Sequence, residues 1–380
     1  MNENKIRILH LIETGGPGGA EKVLLNVVKN IDSRRFDSLV LLLRKGWLYQ
    51  TLKEHHLETR IIESNRAWDI GFLLKLSSLI RKEKIHLVHS HLPGINFYSC
   101  LAGRITKRPV IVTYHGKIED GDEKGWKNIF KNFIIRNTAV QVVAVSDYLK
   151  KELINHMGID QRKVTTILHG IDFKALGPKK NPLKLKQELG LSESTPVVGS
   201  VGNIRGSKGY EYLIQSAKLV MEKMPHVLFL IVGEKEEKLF GDLSKLTERL
   251  GLKERIKFSG FREDIADCLN ILDIFVLSST TEGFSIATVE AMSLAKPVVV
   301  TDCGGPGEIV IDNQTGFLVP PRDPESLAEK IILLLKNKKL REEMGTKAQI
   351  WVRKRFSLEE NIKNYELLYL NCMKRHFKSS

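Results

Sequence analysis

Short apolar runs alternate with segments of helical periodicity along this chain, and that alternation constrains the fold more than any other feature of the sequence. The apolar runs have the length of β-strands and lie at 5–12, 38–43, 87–90, 110–113, 140–145, 197–201, 227–232, 256–259, 274–278 and 297–301. After the first run, apolar residues keep helical spacing at Val23, Leu24, Val27 and Val28. Strands that alternate with helices form parallel sheets covered on both faces. The sequence therefore predicts a doubly wound α/β protein.

The alternation is interrupted near the middle of the chain. The segment 176–195 contains the pairs Gly177-Pro178 and Asn181-Pro182 together with several lysines, a composition typical of a connection. The chain has 380 residues, which is more than one compact core usually holds. We therefore predict a first domain at 1–175, a linker at 176–195 and a second domain at 196–357.

Composition places the chain among globular proteins, with 42% apolar and 27% charged residues. Its four cysteines are far apart and lack metal-ligand spacing, so neither disulfides nor a zinc site is expected. No apolar run reaches the roughly 18 residues that a membrane span requires. The N-terminus lacks the apolar core of a signal peptide, and we expect a cytoplasmic protein, either free or peripheral at the cytoplasmic face of the membrane.

Positive charge is concentrated in the first half of the chain. The net charge is +14, of which residues 1–175 carry +10. This distribution favours an anionic partner: phosphate groups, nucleic acid or acidic lipid. No nucleic-acid-binding motif accompanies the charge, so a nucleic-acid partner is not expected.

One segment of the first half has two interpretations. The predicted helix 124–136 collects apolar side chains on one face and lysines elsewhere: Trp126, Ile129, Phe130, Phe133 and Ile134, with Lys124, Lys127 and Lys131. It either lies at a membrane interface or packs in the core before the strand at 140–145. The preceding Asp120-Gly-Asp122 resembles a metal motif but lies in a polar run, and we interpret it as a solvated loop.

The segment 280–290, TTEGFSIATVE, has the strongest chemical signal. It follows a predicted strand and begins a predicted helix at about 285. The N–H groups of Gly283, Phe284 and Ser285 would then lie at a helix N-terminus, which is suited to bind a diphosphate. Glu290 lies further along this helix, where a carboxylate can accept both hydroxyls of a ribose, and Glu282 lies in the loop before it.

Together with this segment, five motifs make the chain similar to a known family. They are GGPGGAE at 15–21, YHG at 114–116, VSDYLKKEL at 145–153, HGID at 169–172 and NIRGSKG at 203–209. In this order they resemble retaining glycosyltransferases of family four, over nearly the whole chain. The resemblance implies the GT-B fold: two facing Rossmann-like domains with an interdomain cleft, the final helix at 358–380 joining the first domain. It also implies that the second domain binds the nucleotide-sugar donor and the first binds the acceptor.

The resemblance assigns roles to single residues. It implies that Glu282 contacts the sugar, that Glu290 holds the ribose, and that Lys208 neutralises the diphosphate. The family's arginine falls on Asn203, and Arg205 is the candidate to replace it. Fixed cations stabilise the charge that develops on a departing diphosphate, so no metal and no cofactor are expected.

Two further candidates lie in the first half. The glycines Gly15, Gly16, Gly18 and Gly19 follow the first predicted strand and would let backbone approach a sugar or phosphate closely. The loop fits neither a Walker motif nor a dinucleotide-binding motif, and the alternative interpretation is a simple tight turn between strand and helix. His115 follows the strand at 110–113 and resembles the family histidine that touches the transferred sugar.

These assignments predict a hexosyltransferase that moves a sugar from a UDP- or GDP-sugar to an acceptor with retention of configuration. A lipid-linked saccharide or a cell-surface polysaccharide or lipopolysaccharide precursor is the expected acceptor. Two alternatives remain open: a nucleotide-sugar epimerase on the same fold, and a catalytically weak nucleotide-sugar-binding protein.

Overall fold

The structure is a computed structural model that describes residues 5–64, 68–116, 125–177 and 179–379. The chain divides into two compact units, here called the first unit (1–170 with 358–380) and the second unit (171–357). The segment 176–195 belongs to the second unit. Within the described residues, no helix combines the length and apolarity needed to cross a membrane.

The first unit is built on a seven-stranded sheet. Its strands are β1 (Ile6–Ile12), β2 (Phe36–Leu42), β3 (Thr59–Ile61), β4 (Leu87–His91), β5 (Val110–Tyr114), β6 (Gln141–Ala144) and β7 (Val164–Thr166). They are hydrogen-bonded in parallel in the order β3-β2-β1-β4-β5-β6-β7. The order reverses between β1 and β4, so the carboxyl ends of these two strands mark the place where such sheets bind ligands.

Helices flank this sheet, and all of them except the helix Trp126–Thr138 bury an apolar face. They are α1 (Gly19–Asn30), α2 (Trp47–Glu54), α3 (Ile70–Lys82), α4 (Pro93–Thr106), α5 (Trp126–Thr138), α6 (Asp147–Asn155) and α15 (Leu358–Ser379). In α1 the buried Val23, Leu24, Val27 and Val28 repeat at helical spacing. From α15, Ile362, Tyr365 and Tyr369 pack into the core that contains Ile8 of β1.

The second unit repeats the same architecture with six strands. They are β8 (Val197–Val201), β9 (Leu228–Val232), β10 (Ile256–Gly260), β11 (Ile274–Leu277), β12 (Val298–Thr301) and β13 (Phe317–Val319). The parallel order is β10-β9-β8-β11-β12-β13, so the order reverses between β8 and β11. The helices are α7 (Pro182–Glu188), α8 (Tyr210–Lys223), α9 (Glu237–Arg249), α10 (Ile265–Asn270), α11 (Ile286–Ser293), α12 (Pro306–Ile309), α13 (Pro324–Lys336) and α14 (Lys338–Arg355).

The predicted fold class, α/β with doubly wound sheets, is confirmed by these two parallel sheets. The helix α5 does not pack as a core helix, because Ile135 is its single buried residue while Trp126, Ile129, Phe130 and Phe133 are exposed. The Asp120-Gly-Asp122 loop lies outside the described residues.

Candidate active site

Two loops meet where the strand order of the second sheet reverses. One follows β8 and contains a short 3-10 turn at Gly206–Lys208, and the other follows β11 and leads into α11. Two hydrogen bonds join the loops: the backbone N–H of Thr280 donates to Ser207 O at 2.8 Å, and the Ser278 side-chain hydroxyl donates to Lys208 O at 2.9 Å. The neighbouring strands β8 and β11 therefore position residues that are distant in sequence.

Lys208 and Glu282 form an ion pair at this junction. Lys208 Nζ lies 2.5 Å from Glu282 Oε2, and both side chains are mostly buried. The Ser279 hydroxyl donates to the same carboxylate oxygen at 3.3 Å. Desolvation strengthens a charge-assisted bond of this kind and fixes both groups in place. An ammonium group and a carboxylate are thus held together at the edge of the sheet where ligands bind.

Gly209 makes the close approach of the two loops feasible. Its φ of +59° lies in the left-handed region, which favours glycine. A Cβ atom at this position would lie 2.2 Å from Ser278 O, the carbonyl of the facing loop. The glycine of the NIRGSKG motif is therefore required by both conformation and space.

The loop before α11 presents backbone donors. Ser285 caps the helix by accepting a hydrogen bond from Thr288 N–H at 3.3 Å. Within the described part of the chain, the N–H groups of Gly283 and Ser285 have no protein acceptor. A Cβ atom at Gly305 would lie 1.9 Å from Gly283 O, so that glycine allows the β12 loop to support this turn. Buried N–H groups at a helix N-terminus attract an anion.

Two more predicted donor-binding residues lie on the same helix or beside it. Glu290 is on α11 and only 7% exposed. The ring of Phe284 is buried and packs edge-on against Phe356, with a centroid distance of 5.5 Å. Phe284 thus holds the loop through packing, while its backbone lies at the start of α11.

Asn203, where the family's arginine falls, and Arg205, its candidate replacement, are two residues apart but differ in environment. Asn203 Oδ1 accepts a hydrogen bond from Glu234 N–H at 3.1 Å, so this side chain ties the β8 loop to the end of β9. Arg205 is exposed, and its side chain makes no ion pair or hydrogen bond among the residues that the structure describes. Of the predicted basic residues, Lys208 is the one that contacts Glu282.

The glycine loop of the first unit connects β1 to α1. Gly18 is the N-cap of α1, and Gly16 and Gly19 are exposed. A Cβ atom on Gly18 would lie 2.3 Å from Glu21 Oε2, so the carboxylate of Glu21 folds back onto the start of the helix. The exposed glycines leave backbone accessible at the carboxyl end of β1, as expected for contact with a ligand.

His115 directly follows β5, at the carboxyl edge of the first sheet. Part of the residue is exposed, but its Nδ1 atom is buried and has no partner within the described residues. Its Nε2 atom lies 3.0 Å from Nδ1 of His91. Burial lowers the pKa of His115 to about 3, so the imidazole is neutral at physiological pH.

A column of histidines surrounds His115 and was not predicted from the sequence. His10 and His89 are paired across β1 and β4, and His91 follows two positions later on the same strand face. Ring contacts continue from His91 to His115 and on to His169, with centroid distances of 5.3 Å each. The HxH pattern in β4 was the available signal, because alternate strand residues share one face.

Nitrogen atoms of His10, His89 and His91 come within 4.8 Å of one another and form the one potential metal-ligand cluster in the described residues. No carboxylate belongs to it, so a bound dication would be a buried, uncompensated charge. Burial lowers the pKa of His10 to about 3 and that of His89 and His91 well below the usual value, so these rings are neutral.

Comparison with known proteins assigns the chain to a family. The family described as "Glycosyltransferase Family 4" matches residues 17–175, and "Glycosyl transferases group 1" matches residues 183–351. Capsular polysaccharide biosynthesis glycosyltransferase CapM of Staphylococcus aureus is 30% identical over 316 residues, which cover 80% of this chain and 82% of that protein. The chain belongs to glycosyltransferase family 4, and it is a nucleotide-sugar-dependent glycosyltransferase with the GT-B fold.

Two other similar proteins cover nearly the full length. The UDP-Gal:alpha-D-GlcNAc-diphosphoundecaprenol alpha-1,3-galactosyltransferase of Escherichia coli is 27% identical over 349 residues, 89% of this chain and 90% of that protein. The crystal structure of Anabaena HepE in complex with UDP and glucose has a TM-score of 0.87 and 25% identity, covering 96% of this chain and all of HepE. These matches favour the predicted transferase over an epimerase.

Proposed function

We propose that this glycosyltransferase moves a hexose from a UDP-sugar to a lipid-linked saccharide that is a precursor of a cell-surface polysaccharide, with retention of anomeric configuration. The observation that carries the proposal is the Lys208–Glu282 pair beside the N–H groups of Gly283 and Ser285, which have no acceptor among the described residues. An ammonium group and buried amides together form a cradle for a diphosphate. A carboxylate next to them is placed to hold hydroxyls of the attached sugar.

Each group has a defined task in the proposed reaction. As the bond between sugar and diphosphate breaks, negative charge grows on the leaving phosphate, and Lys208 with the α11 amides stabilises it. Glu282 orients the sugar ring, Glu290 binds the ribose hydroxyls, and neutral His115 hydrogen-bonds a sugar hydroxyl. Retention follows if the acceptor attacks from the side of the leaving phosphate, which takes the acceptor proton.

We also propose that the reaction needs no metal ion. The proposal is supported by the positive charge of Lys208 and the partial charges of the helix N-terminus, which can neutralise a diphosphate in place of a metal. Saturating EDTA should leave the transfer rate unchanged, and added Mg²⁺ or Mn²⁺ should not increase it. A rate that falls with EDTA and returns with one of these ions would contradict this part of the proposal.

The choice of uridine as the base is supported by two similar proteins. HepE was crystallised with UDP, and the E. coli relative is named for a UDP-galactose donor. The same E. coli enzyme is named for a diphosphoundecaprenol-linked acceptor. The basic charge of residues 1–175 in this chain is suited to such an anionic lipid substrate.

Donor and acceptor are tested in two steps. UDP, GDP and ADP are first compared in a thermal-shift assay, where the ligand with the highest affinity for the folded protein stabilises it most. UDP-glucose, UDP-galactose and UDP-N-acetylglucosamine are then each supplied with a synthetic polyprenyl-diphosphate N-acetylhexosamine. Transfer to this lipid, with an α-linked product by NMR, is the expected result. Binding of UDP without transfer to lipid or soluble acceptors would favour the nucleotide-sugar-binding alternative.

A surface of the first unit supports action at a membrane. We call it the apolar patch, and its exposed members lie on or beside α3 and α5: Trp68, Ile70, Leu74, Trp126, Ile129, Phe130 and Phe133. Trp126 is 70% and Ile129 60% exposed, and the Trp68 and Trp126 rings stack at 6.3 Å. Large contiguous apolar surfaces of this kind mark contact sites.

The charge around the apolar patch supports an anionic lipid surface as its partner. The helices α3, α4 and α5 together carry seven basic residues and no acidic residue: Lys75, Arg81, Lys82, Arg104, Lys127, Lys131 and Arg136. Aromatic side chains flanked by lysines are typical of helices that lie in the interface of anionic bilayers. We propose that the apolar patch inserts into an anionic lipid surface, which would bring the enzyme to a lipid-linked acceptor.

Vesicle flotation tests this surface. The protein should float with vesicles that contain phosphatidylglycerol, bind weakly to pure phosphatidylcholine, and be partly released by high salt. The double change Trp126→Ser with Ile129→Ser should abolish flotation. Ile350→Ser, at an exposed isoleucine on α14, is the matched control and should float like wild type. The proposal would be contradicted if the double variant and Ile350→Ser bound vesicles equally well. It would also be contradicted if the protein did not bind lipid and Trp126 were instead required for self-association.

A further inference from the structure

The histidine column of the first unit contains more imidazole groups than the proposed reaction uses. His10, His89 and His91 lie in strands β1 and β4 and are fully buried, and only His115 has a proposed contact with substrate. His89 has both ring nitrogens engaged, at 2.7 Å from the Tyr369 hydroxyl and 2.8 Å from the Thr113 hydroxyl. These contacts account for His89 as a structural residue.

His91 has a different set of contacts. Its Nδ1 atom lies 3.0 Å from Nε2 of His115, and its Nε2 atom is buried without a partner in the described residues. The two rings are nearly parallel, with an angle of 28° between their planes. The contact with His115 is therefore the one hydrogen bond of the His91 side chain among these residues.

This bond has a chemical consequence for His115. In a neutral imidazole one nitrogen donates and the other accepts. If His91 Nδ1–H donates to His115 Nε2, the proton of His115 is on Nδ1. If His115 Nε2–H donates to His91, the Nδ1 atom of His115 is an acceptor. The hydrogen bond thus links the protonated position of one ring to that of the other, and it also fixes how the His115 ring is turned.

We propose that His91 is a positioning residue for the transfer reaction, which holds the ring of His115 in one orientation and one tautomer through its Nδ1 atom. The proposal rests on the proposed role of His115. The Nδ1 atom of His115, which is buried and has no partner among the described residues, is then the ring nitrogen left to hydrogen-bond a sugar hydroxyl. If the His115 ring could rotate or exchange tautomers, its Nδ1 atom would have the required position and protonation state for only part of the time.

Three substitutions of His91 separate positioning from packing. His91→Phe keeps the ring shape and loses the hydrogen bond. His91→Asn loses ring volume but places an amide near the former Nδ1 atom, and His91→Gln places its amide nearer the former Nε2 atom. Positioning predicts that kcat falls roughly 10- to 100-fold in His91→Phe and is partly restored in His91→Asn but not in His91→Gln.

A packing role predicts the opposite order. A cavity in the core destabilises the protein, so His91→Asn would then be both the least stable and the least active variant. The expected result is that activity and thermal stability disagree, with His91→Phe more stable and His91→Asn more active. Activity that follows stability across the three variants would overturn the proposal. The rates are measured as UDP release from UDP-glucose, UDP-galactose and UDP-N-acetylglucosamine.

A second variant distinguishes failure of this inference from failure of the proposed function. His115→Ala should lower kcat, and adding His91→Phe to it should cause no further loss, because His91 acts through His115. If His115→Ala lowers kcat and His91→Phe does not, the positioning role is wrong and the proposed function stands. If His115→Ala is fully active, the proposed role of His115 is wrong.

The tautomer of His115 can be observed without any substrate. In protein labelled with ¹⁵N-histidine, the ring nitrogen shifts report which nitrogen carries the proton. Wild type should show one tautomer for His115, assigned by its loss in His115→Ala. His91→Phe should show the other tautomer or a mixture. An unchanged His115 spectrum in folded His91→Phe would overturn the proposal independently of any activity.

Discussion

Lys208 and Glu282 are 74 positions apart in sequence, yet the Nζ atom of one lies 2.5 Å from the Oε2 atom of the other. The contact exists because β8 and β11, the strands that precede them, are neighbours at the point where the sheet order reverses. Each loop follows the carboxyl end of its strand, so the parallel arrangement brings both side chains to one edge.

Loss of the ammonium group should affect chemistry more than binding. We expect Lys208→Ala to lower kcat roughly 100-fold, since a fixed cation acts mainly on the charge that develops in the transition state. Lys245→Ala, at an exposed lysine on α9, is the control and should retain wild-type kinetics. Steady-state kinetics with varied donor separates kcat from KM. A variant with normal kcat and a raised KM would show that Lys208 serves ground-state binding instead.

Two glycines close to Lys208 in sequence, Gly206 and Gly209, provide a matched pair. Gly209→Ala combines a left-handed φ of +59° with a Cβ atom 2.2 Å from Ser278 O, so the β8 and β11 loops should separate. We expect a loss of about 1–3 kcal/mol in the free energy of unfolding, measured by urea denaturation, and lower activity. Gly206→Ala meets no atom within 4 Å and should cause neither effect. Equal stability of the two variants would contradict the assigned role of Gly209.

Variants of Glu290 and of Lys208 should differ in which ligands they bind more weakly. We expect Glu290→Gln to weaken binding of UDP and of uridine alike, by about 1–3 kcal/mol, because its carboxylate accepts from ribose hydroxyls. Lys208→Ala should weaken the binding of UDP but leave the binding of uridine unchanged. Isothermal titration calorimetry measures both ligands. The ribose assignment fails if Glu290→Gln loses affinity for UDP while uridine binds as before.

The strands that can be predicted from the sequence are those with longer apolar runs. The buried β1, with the sequence IRILHLI, was predicted to within one residue, because a strand buried on both faces must be almost continuously apolar. Three strands were missed: β3, β7 and β13. Each has three residues and lies at the edge of its sheet, so it is too short to produce a periodicity and depends on pairing with its neighbour.

The sequence motifs indicate the candidate site residues but not the contacts that these residues make. Motif order placed Glu282 and Lys208 after strands, whereas their ion pair depends on which strands are neighbours. The contact of His91 with His115 depends in the same way on the β4–β5 pairing. The HxH pattern of β4 indicates that His89 and His91 share one strand face, but it does not indicate which residues of other strands they contact.

Acid should destabilise the first unit through its buried histidines. Burial lowers the pKa of His10 and of His115 to about 3, whereas a histidine in the unfolded chain titrates near 6.5. Below pH 6.5 the unfolded chain therefore binds more protons than the folded protein does. The free energy of unfolding should fall as pH decreases from 6.5 to about 3, with each such histidine contributing up to about 1.4 kcal/mol per pH unit.

The contribution of His10 can be isolated by substitution. His10→Phe keeps a buried ring but removes the titrating group, so urea unfolding at pH 7, 6 and 5 should show a shallower loss of stability with acid than wild type. His55→Gln removes an exposed histidine and should leave the slope unchanged. The slope, not the absolute stability, is the quantity to compare, because the new ring also changes packing at every pH. A slope equal to that of wild type in His10→Phe would mean that His10 does not remain neutral in the folded protein as pH falls.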